Sequence, residues 1–344
     1  MKSTLFYRFF FGVVLCFTLY ALAYAKPLEE KPDGKSIIIG FYNVENLFDT
    51  IDDPLKDDNE FLPDSAKKWN GERYERKLEM LAEVINSMGR ESYPAILGLC
   101  EVENIQVLND LVKERQISKA KYQPILIEGP DERGIDVGLL YSKKKFKVIS
   151  SASHTVNAGE GERPTRDILH VRGKVKSGGP TINILVNHWP SRYGGAEESE
   201  PKRIAAAKVL TAVTEQISAL HPDEPIICMG DFNDYPENRS LSQILPTGRD
   251  ERLVNLMAGL KEKKRGSYNY RGEWDFLDQI IVSRSLTDDQ LPDIIDGSTA
   301  PFYTDSMVYT HPKYGDEKPH RTYGGPEYYG GYSDHLPVYT VLAY

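Results

Sequence analysis

The sequence predicts an α/β sandwich, two packed sheets with helices on their outer faces. Three observations carry that expectation. Short apolar runs punctuated by turns recur along the chain, as β-strands do. Two longer segments repeat their apolar residues at a spacing of 3.6, as amphipathic helices do. Several of the strands are apolar on both faces, which calls for sheets covered on each side.

In chain order, strands are expected at residues 36–42, 95–100, 123–127, 137–141, 181–186, 225–229, 279–282 and 338–343. The first helix is marked by Tyr74, Leu78, Leu81, Ile85 and Met88 along one face. In the second, Ser199 is placed to cap and Pro201 suits the first turn, with Ala206, Val209, Val213, Ile217 and Leu220 as the buried stripe. Length alone suggests about two domains at ~150 residues each. No linker, repeat or composition break divides residues 26–344, so one domain is expected there. Residues 298–332 carry Tyr303, Tyr309, Tyr314, Tyr323, Tyr328, Tyr329 and Tyr332 among several glycines, without a helical or strand period. They read as a loop insertion. Its tyrosines either stack on substrate rings or pack the loop onto the sandwich.

Composition narrows the class. The chain is 27% charged and 40% hydrophobic, which excludes a disordered or collagen-like protein. Three cysteines exclude a disulfide framework and a Cys-rich zinc site. Residues 1–25 read as a signal peptide, with Lys2 and Arg8 ahead of an apolar run that ends at Ala23-Tyr24-Ala25, a small-x-small cleavage site. That site favours cleavage over an uncleaved anchor, and Val14-Leu15 is a poor approach to a lipidated Cys16. Cleavage removes Lys2 and Arg8 and no acid, moving the net charge from -9 to -11. The expected product is an exported, periplasmic or extracellular monomer with no stable membrane association and no implied protein partner. It keeps Cys100 and Cys228, read as buried thiols, with a bridge between them the alternative.

Polar residues at the strand ends carry the chemistry. Four apolar runs end in Asn43, in Glu101, in Asn187-His188 and in Asp231-Phe232-Asn233. Asp278 and Ser333-Asp334-His335 open two more strands. Antiparallel pairing sets the end of one strand beside the start of its neighbour, so all six groups can share one rim. Glu101 and Asn43 suit a hard divalent cation such as Mg2+, with Mn2+ or Ca2+ as alternatives. Asp231 can position or deprotonate water, two histidines supply acid–base function, and Asp278 beside His335 would fix its tautomer. Metal, oriented water and imidazolium together describe phosphate-ester hydrolysis.

The chain resembles the endonuclease/exonuclease/phosphatase superfamily, whose folds are deoxyribonuclease I-like. The markers are Phe41-Tyr42-Asn43-Val44-Glu45-Asn46, Gly98-Leu99-Cys100-Glu101-Val102, Asn187-His188-Trp189-Pro190-Ser191, Gly230-Asp231-Phe232-Asn233-Asp234, Leu277-Asp278-Gln279 and Ser333-Asp334-His335-Leu336-Pro337. Within it, residues 41–49, residues 133–141 with Gly134-Ile135-Asp136, and the His-Trp-Pro-Ser loop look closest to exported bacterial nucleases. The resemblance implies a four-layered α/β sandwich with two mostly antiparallel sheets. It implies Asn43, Glu101 and Asp334 at a metal, Asp231 orienting water, and Asn233 holding the phosphate. It also implies a catalytic His335 with Asp278 as its orienting partner, and His188 as a second active-site histidine. Arg166, and Arg192 after the His-Trp-Pro-Ser loop, are the candidate substrate contacts; Arg166 is alternatively structural.

Other features carry less. Asp136 precedes a strand and is either a partner for His188 or a solvated turn carboxylate. Residues 49–64 hold six Asp and one Glu against one Lys, without EF-hand spacing, and read as a solvated acidic loop. The basic runs at 143–147 and 261–265 are either phosphate-backbone contacts or solvated turns. A nuclease acting on DNA or RNA is the expected activity; a phosphatase or phospholipase-like hydrolase on the same scaffold is the alternative. The charge of -11 argues against broad electrostatic adhesion to nucleic acid.

Overall fold

The computed structural model describes residues 35–344 except 90, 91, 160, 249, 250, 261–264, 313 and 314. The signal segment, Tyr314 and most of the 261–265 basic run lie outside the described residues. Two sheets form the centre. The first runs β13 (Asp293–Ile294), β19 (Val338–Ala343), β1 (Ser36–Leu47), β2 (Ile96–Val102), β4 (Asp136–Ser142), β3 (Tyr122–Leu126), with β14 (Ala300–Pro301) also on β19. The second runs β5 (Phe146–His154), β6 (Ile168–Val175), β7 (Thr181–His188), β8 (Ile226–Asp231), β12 (Asp278–Ser283), β9 (Leu253–Asn255). Pairing is antiparallel except β1 with β2 and β7 with β8, one parallel pair in each sheet.

The inner faces meet in a core that includes Ile39, Phe41, Leu139, Ile184, Met229, Ile280 and Leu342. On the outer face of the first sheet lie α1 (Gly71–Ser87) and α2 (Ile105–Leu111); α3 (Ala196–Leu220) covers the second. This double covering is why β1, β2, β7 and β8 are apolar on both faces. Asn70 caps α1 by accepting from Arg73 N at 3.1 Å, which stabilises such a helix by ~1 kcal/mol. Gly230 is required by packing, because a Cβ there would lie 2.4 Å from the Asn187 carbonyl on the parallel neighbour.

Several expectations change. The second helix starts at Ala196, so Ser199 does not cap it and Pro201 sits inside it. Ser199 Oγ instead donates back to the Gly195 carbonyl and accepts from Arg203. Leu220 is exposed, since the final turn has passed the sheet, while Arg203, Ala207 and Leu210 join the buried face. Strands β5 and β6 were not expected: β5 is an edge strand with mostly exposed polar residues, which hides its period. Cys100 and Cys228 are buried and free. Residues 143–145 form the turn from β4 to β5, at the end of β4 remote from Glu101.

The 298–332 segment is only partly irregular. It contains two small ribbons, β15 (Val308–Thr310) with β16 (Glu317–Pro319) and β17 (Tyr323–Gly324) with β18 (Glu327–Tyr328). Pairs of two or three residues are too short to leave a period. The strap leaves and rejoins the sheet at one place, where Phe302 N donates to Pro337 O at 2.7 Å. Tyr323 and Tyr332 are buried beneath it, whereas Tyr309 and Tyr329 are exposed. A third ribbon, β10 (Tyr268–Tyr270) with β11 (Glu273–Asp275), packs beside it. Among the described residues no helix is long and apolar enough to cross a membrane.

Candidate active site

The strand register assembles the site. Asp278 opens β12 directly opposite Asp231 on β8, and His188 closes β7 in parallel register with the same Asp231. In the first sheet Asn43 pairs with Cys100, and Glu101 follows at an irregularity in the β2–β4 ladder. Convergence therefore uses the parallel pairs as much as the antiparallel ones. Glu45, Asn46, Glu101 and Asn233 adopt left-handed backbone angles, φ 51°, 54°, 61° and 50°. Such conformations are costly for non-glycine residues, and here they gather where strands end and side chains must be re-aimed.

Asn43 is fully buried and gathers two carboxylates. Its Nδ2 donates to Glu101 Oε1 at 3.2 Å and Asp231 Oδ2 at 3.1 Å, while its Oδ1 accepts from Glu45 N at 3.0 Å. Asp231 Oδ1 accepts from Asn233 N at 2.9 Å. His188 Nε2 and His335 Nε2 each stand 3.8 Å from Asp231 Oδ2, beyond direct hydrogen bonding and within reach of a shared oxygen. His335 Nδ1 is 2.7 Å from Oδ2 of Asp278, which is inaccessible to solvent. Tyr268 lies against the His335 ring, centroids 4.7 Å apart.

The two histidines differ in charge. Burial drives the His188 pKa well below its ordinary 6.5, and Arg166, Arg133 and His335 push the same way. Although Glu101 and Asp231 stand 3.9 and 3.8 Å from its Nε2, the desolvation outweighs them and the ring is neutral at pH 7. Burial would also lower His335, but Asp278, then Asp231 and Asp334, hold it well above 6.5 as an imidazolium. Burial raises the Asp231 carboxyl, opposed by the His335 charge and assisted by Asp278 and Glu101. A neutral imidazole and an imidazolium flank one carboxylate, so the cluster can both accept and donate a proton.

The residues fit a divalent cation. The Glu101 side chain is 18% exposed and, among the described residues, pairs with no lysine or arginine. Oxygen from a carboxylate is the donor such ions take. Asp231, Asp278 and His335 also bring one donor atom each within 4.8 Å of one another. An ion bound to His335 Nδ1 there would have to break the 2.7 Å bond to Asp278, so that trio is better suited to moving a proton.

A model of the endonuclease/exonuclease/phosphatase family matches residues 38–344. The chain belongs to that family. Solved structures agree on the fold. A family protein from Bacteroides thetaiotaomicron superposes with a TM-score of 0.57 at 15% identity, covering 90% of this chain and 95% of that one. The human nocturnin catalytic domain with bound sulfate gives 0.53 at 18% identity, covering 90% and 94%. A mannosyl-6-phosphatase from Bacteroides thetaiotaomicron gives 0.53 at 15%, covering 90% and 100%. No curated protein matches by sequence.

In this endonuclease/exonuclease/phosphatase chain, Asn43, Glu101, His188, Asp231, Asp278 and His335 form one connected cluster. Asn233 joins it through its backbone, and its Nδ2 donates to Trp189 O at 3.0 Å. Arg166 is buried, donating to the same carbonyl at 2.6 Å and to Asp131 at 3.2 Å. Arg192 lies over the Tyr235 ring, 4.5 Å from its centroid. Asp334 is turned to Arg321, 3.0 Å away. Asp136 does not pair with His188: its Oδ1 accepts from Gly129 N at 2.9 Å, and burial pushes its carboxyl up to about 7. It lines a cavity of about 270 Å³ with Asp49, Asp52, Asp53 and Glu103, walled on one side by Lys56. The first half of the acidic 49–64 loop thus lines this cavity, while Asp52, Asp57, Glu60 and Asp64 are exposed to solvent as expected.

Sequence reasoning gave no role to Glu45 and Ser333, though both lie in the motifs it quoted, and missed Tyr268. Glu45 is two residues beyond Asn43, but its left-handed backbone breaks strand alternation and left no local signal. It is buried and accepts from Thr322 N at 2.6 Å, Tyr323 N at 3.3 Å and Arg321 Nε at 3.3 Å. Ser333 Oγ donates to Asn43 O at 2.7 Å and accepts from His335 N, tying the histidine to β1.

Proposed function

We propose that the protein is an exported, divalent-metal-dependent phosphoesterase that hydrolyses phosphodiester bonds of DNA or RNA. One observation carries the reading: Asp231 stands 3.8 Å from the Nε2 atoms of a neutral His188 and a charged His335. A metal ion on Glu101 would polarise the phosphate and stabilise the charge that develops on it. Asp231 orients the attacking water and accepts its proton. His335, held by Asp278, donates to a phosphate or leaving-group oxygen through Nε2, and His188 hydrogen-bonds the phosphate as a neutral donor. Asn233 presents its remaining amide N–H to the same group.

A phosphatase or phospholipase-like activity is the second reading, favoured by the similarity to a mannosyl-6-phosphatase. A substrate panel decides between them: plasmid DNA, single-stranded RNA, bis-p-nitrophenyl phosphate, p-nitrophenyl phosphate, inositol polyphosphates and sphingomyelin, each with Mg2+, Mn2+ or EDTA. Cleavage of nucleic acid and the diester is expected. Release of inorganic phosphate from monoesters alone would overturn the nuclease reading, and full activity in EDTA would overturn the metal.

A further inference from the structure

We propose that Arg321 is an anion clamp that recognises a second phosphate group on the substrate, beside the one being hydrolysed. This rests on the phosphoesterase reading above. Arg321 lies on the 298–332 strap, outside every family motif, yet it reaches the catalytic corner. Its Nη2 donates to Asp334, the residue before His335, at 3.0 Å, and its Nε to Glu45 at 3.3 Å.

Its position is fixed from several sides. Gly331 N donates to the Arg321 carbonyl at 3.2 Å and Tyr332 N to the His320 carbonyl at 2.6 Å. Lys77, buried under the strap, donates to Thr322 Oγ1 at 2.6 Å and Tyr332 O at 2.8 Å. Glu45 accepts from the two backbone amides that follow Arg321. Ordering a long side chain on binding is costly, and here that cost is already met.

What remains free is chemically specific. A guanidinium has more N–H donors than these two carboxylates use, and Nη1 has no partner among the described residues. The side chain is 45% exposed, so those donors face solvent at the rim. Glu45 and Asp334 balance the charges of Arg321 and Lys77, so an added anion meets a buttressed fork and not excess charge. Planar paired donors of this kind match phosphate oxygens. By contrast Arg166 is buried, with Asp131 and the Trp189 carbonyl as its partners.

The test compares Arg321→Gln and Arg321→Lys with the parent protein. Bis-p-nitrophenyl phosphate has one phosphate; the 5′-phosphorylated thymidine dinucleotide and an inositol bisphosphate have two. For Arg321→Gln the expected result is a KM raised about tenfold or more on the two-phosphate substrate that the protein uses, with the one-phosphate substrate changed by less than about threefold. Arg321→Lys should recover part of that loss. Which two-phosphate substrate responds distinguishes a polynucleotide backbone from a small polyphosphate. Calorimetric binding of pyrophosphate and of phosphate gives a readout independent of turnover. Loss of pyrophosphate preference in Arg321→Gln supports the clamp even if no ester is hydrolysed, in which case only the phosphoesterase reading falls. Equal losses on one- and two-phosphate compounds, or no loss on either, would overturn it.

Discussion

Replacing Asp278 by Asn probes the central claim about proton transfer. The carboxylate has no solvent access and lies 2.7 Å from His335 Nδ1. Burial lowers the pKa of that histidine, and Asp278 is the foremost influence raising it. Without the carboxylate, only Asp231 and Asp334 oppose burial and the pKa of the ring falls. Every pH unit by which the pKa then lies below the assay pH reduces the imidazolium about tenfold, or ~1.4 kcal/mol. An amide can also donate to Nδ1, which leaves the ring neutral with its single proton on Nε2, a weaker donor than the imidazolium. Loss of positioned acid–base function lowers rates by ~10²- to 10⁴-fold, and that range is expected for kcat on bis-p-nitrophenyl phosphate. Measured from about pH 5 to about pH 9, Asp278→Asn should regain part of its rate toward acid, where the ring recharges. Removing one partner of a buried ion pair destabilises by ~3–5 kcal/mol, so folding is checked by urea titration alongside. The double variant with His335→Ala should be little worse than the worse single one. A folded Asp278→Asn protein with kcat within about threefold of the parent at neutral pH, or losses that simply multiply, would refute the partnership.

Other predictions are more local. Glu101→Gln should abolish most activation by Mg2+ while lowering the unfolding free energy, read by urea titration, by only about 1 kcal/mol, because volume is kept and one of the two hydrogen bonds it accepts, from Asn43 Nδ2 or Asn46 N, is lost. Arg203, buried in α3 with Nε 2.7 Å from Asp234, should cost ~3–5 kcal/mol of stability as Arg203→Ala; a loss under about 1 kcal/mol would show that water replaces the pair. The folded state holds the Asp136 proton up to about pH 7 against an ordinary 3.8, so its stabilising contribution is complete below 3.8 and is lost as pH rises through about 7. Asp136→Asn should therefore raise unfolding free energy by on the order of 2–4 kcal/mol at about pH 8 and change nothing at about pH 3, read by urea denaturation. Exchanging Tyr309 and Tyr329 for Ala should raise KM on oligonucleotides and leave bis-p-nitrophenyl phosphate unaffected if the strap's exposed rings contact bases.

The strand-end residues were readable because each interrupts an apolar run, and in a doubly covered sheet a polar residue stands out only there. The same logic failed for β5, whose Lys147, Ser150 and Ser151 face solvent on an edge. Left-handed angles at Glu45 and Glu101 leave no trace in composition, since neither is glycine or asparagine. Lys77 and Arg203 are charged residues on helices, a kind usually left at the surface, yet both are buried, Arg203 against Asp234 and Lys77 under the strap. The partners of Lys77, Thr322 and Tyr332, lie about 250 positions along the chain, beyond any local pattern. The tyrosines of 298–332 divide between two environments: Tyr323 and Tyr332 are buried and anchor the segment, while Tyr309 and Tyr329 are left outside.

The bond between Phe302 and Pro337 has an evolutionary consequence. It closes the strap at its base, so residues 303–331 form an excursion whose ends the sheet already holds together, and the chain then returns through Ser333 and His335 to the site. Lengthening such an excursion is inexpensive, about 0.6 kcal/mol of closure entropy per doubling. Insertions or deletions at the turns of this excursion that spare Thr322, Tyr332 and His335 would leave the strand register that builds Asp231, Asp278 and His188 untouched. Descendants of this chain can thus acquire new appetites by rewriting these turns, while the chemistry beneath them is inherited unchanged.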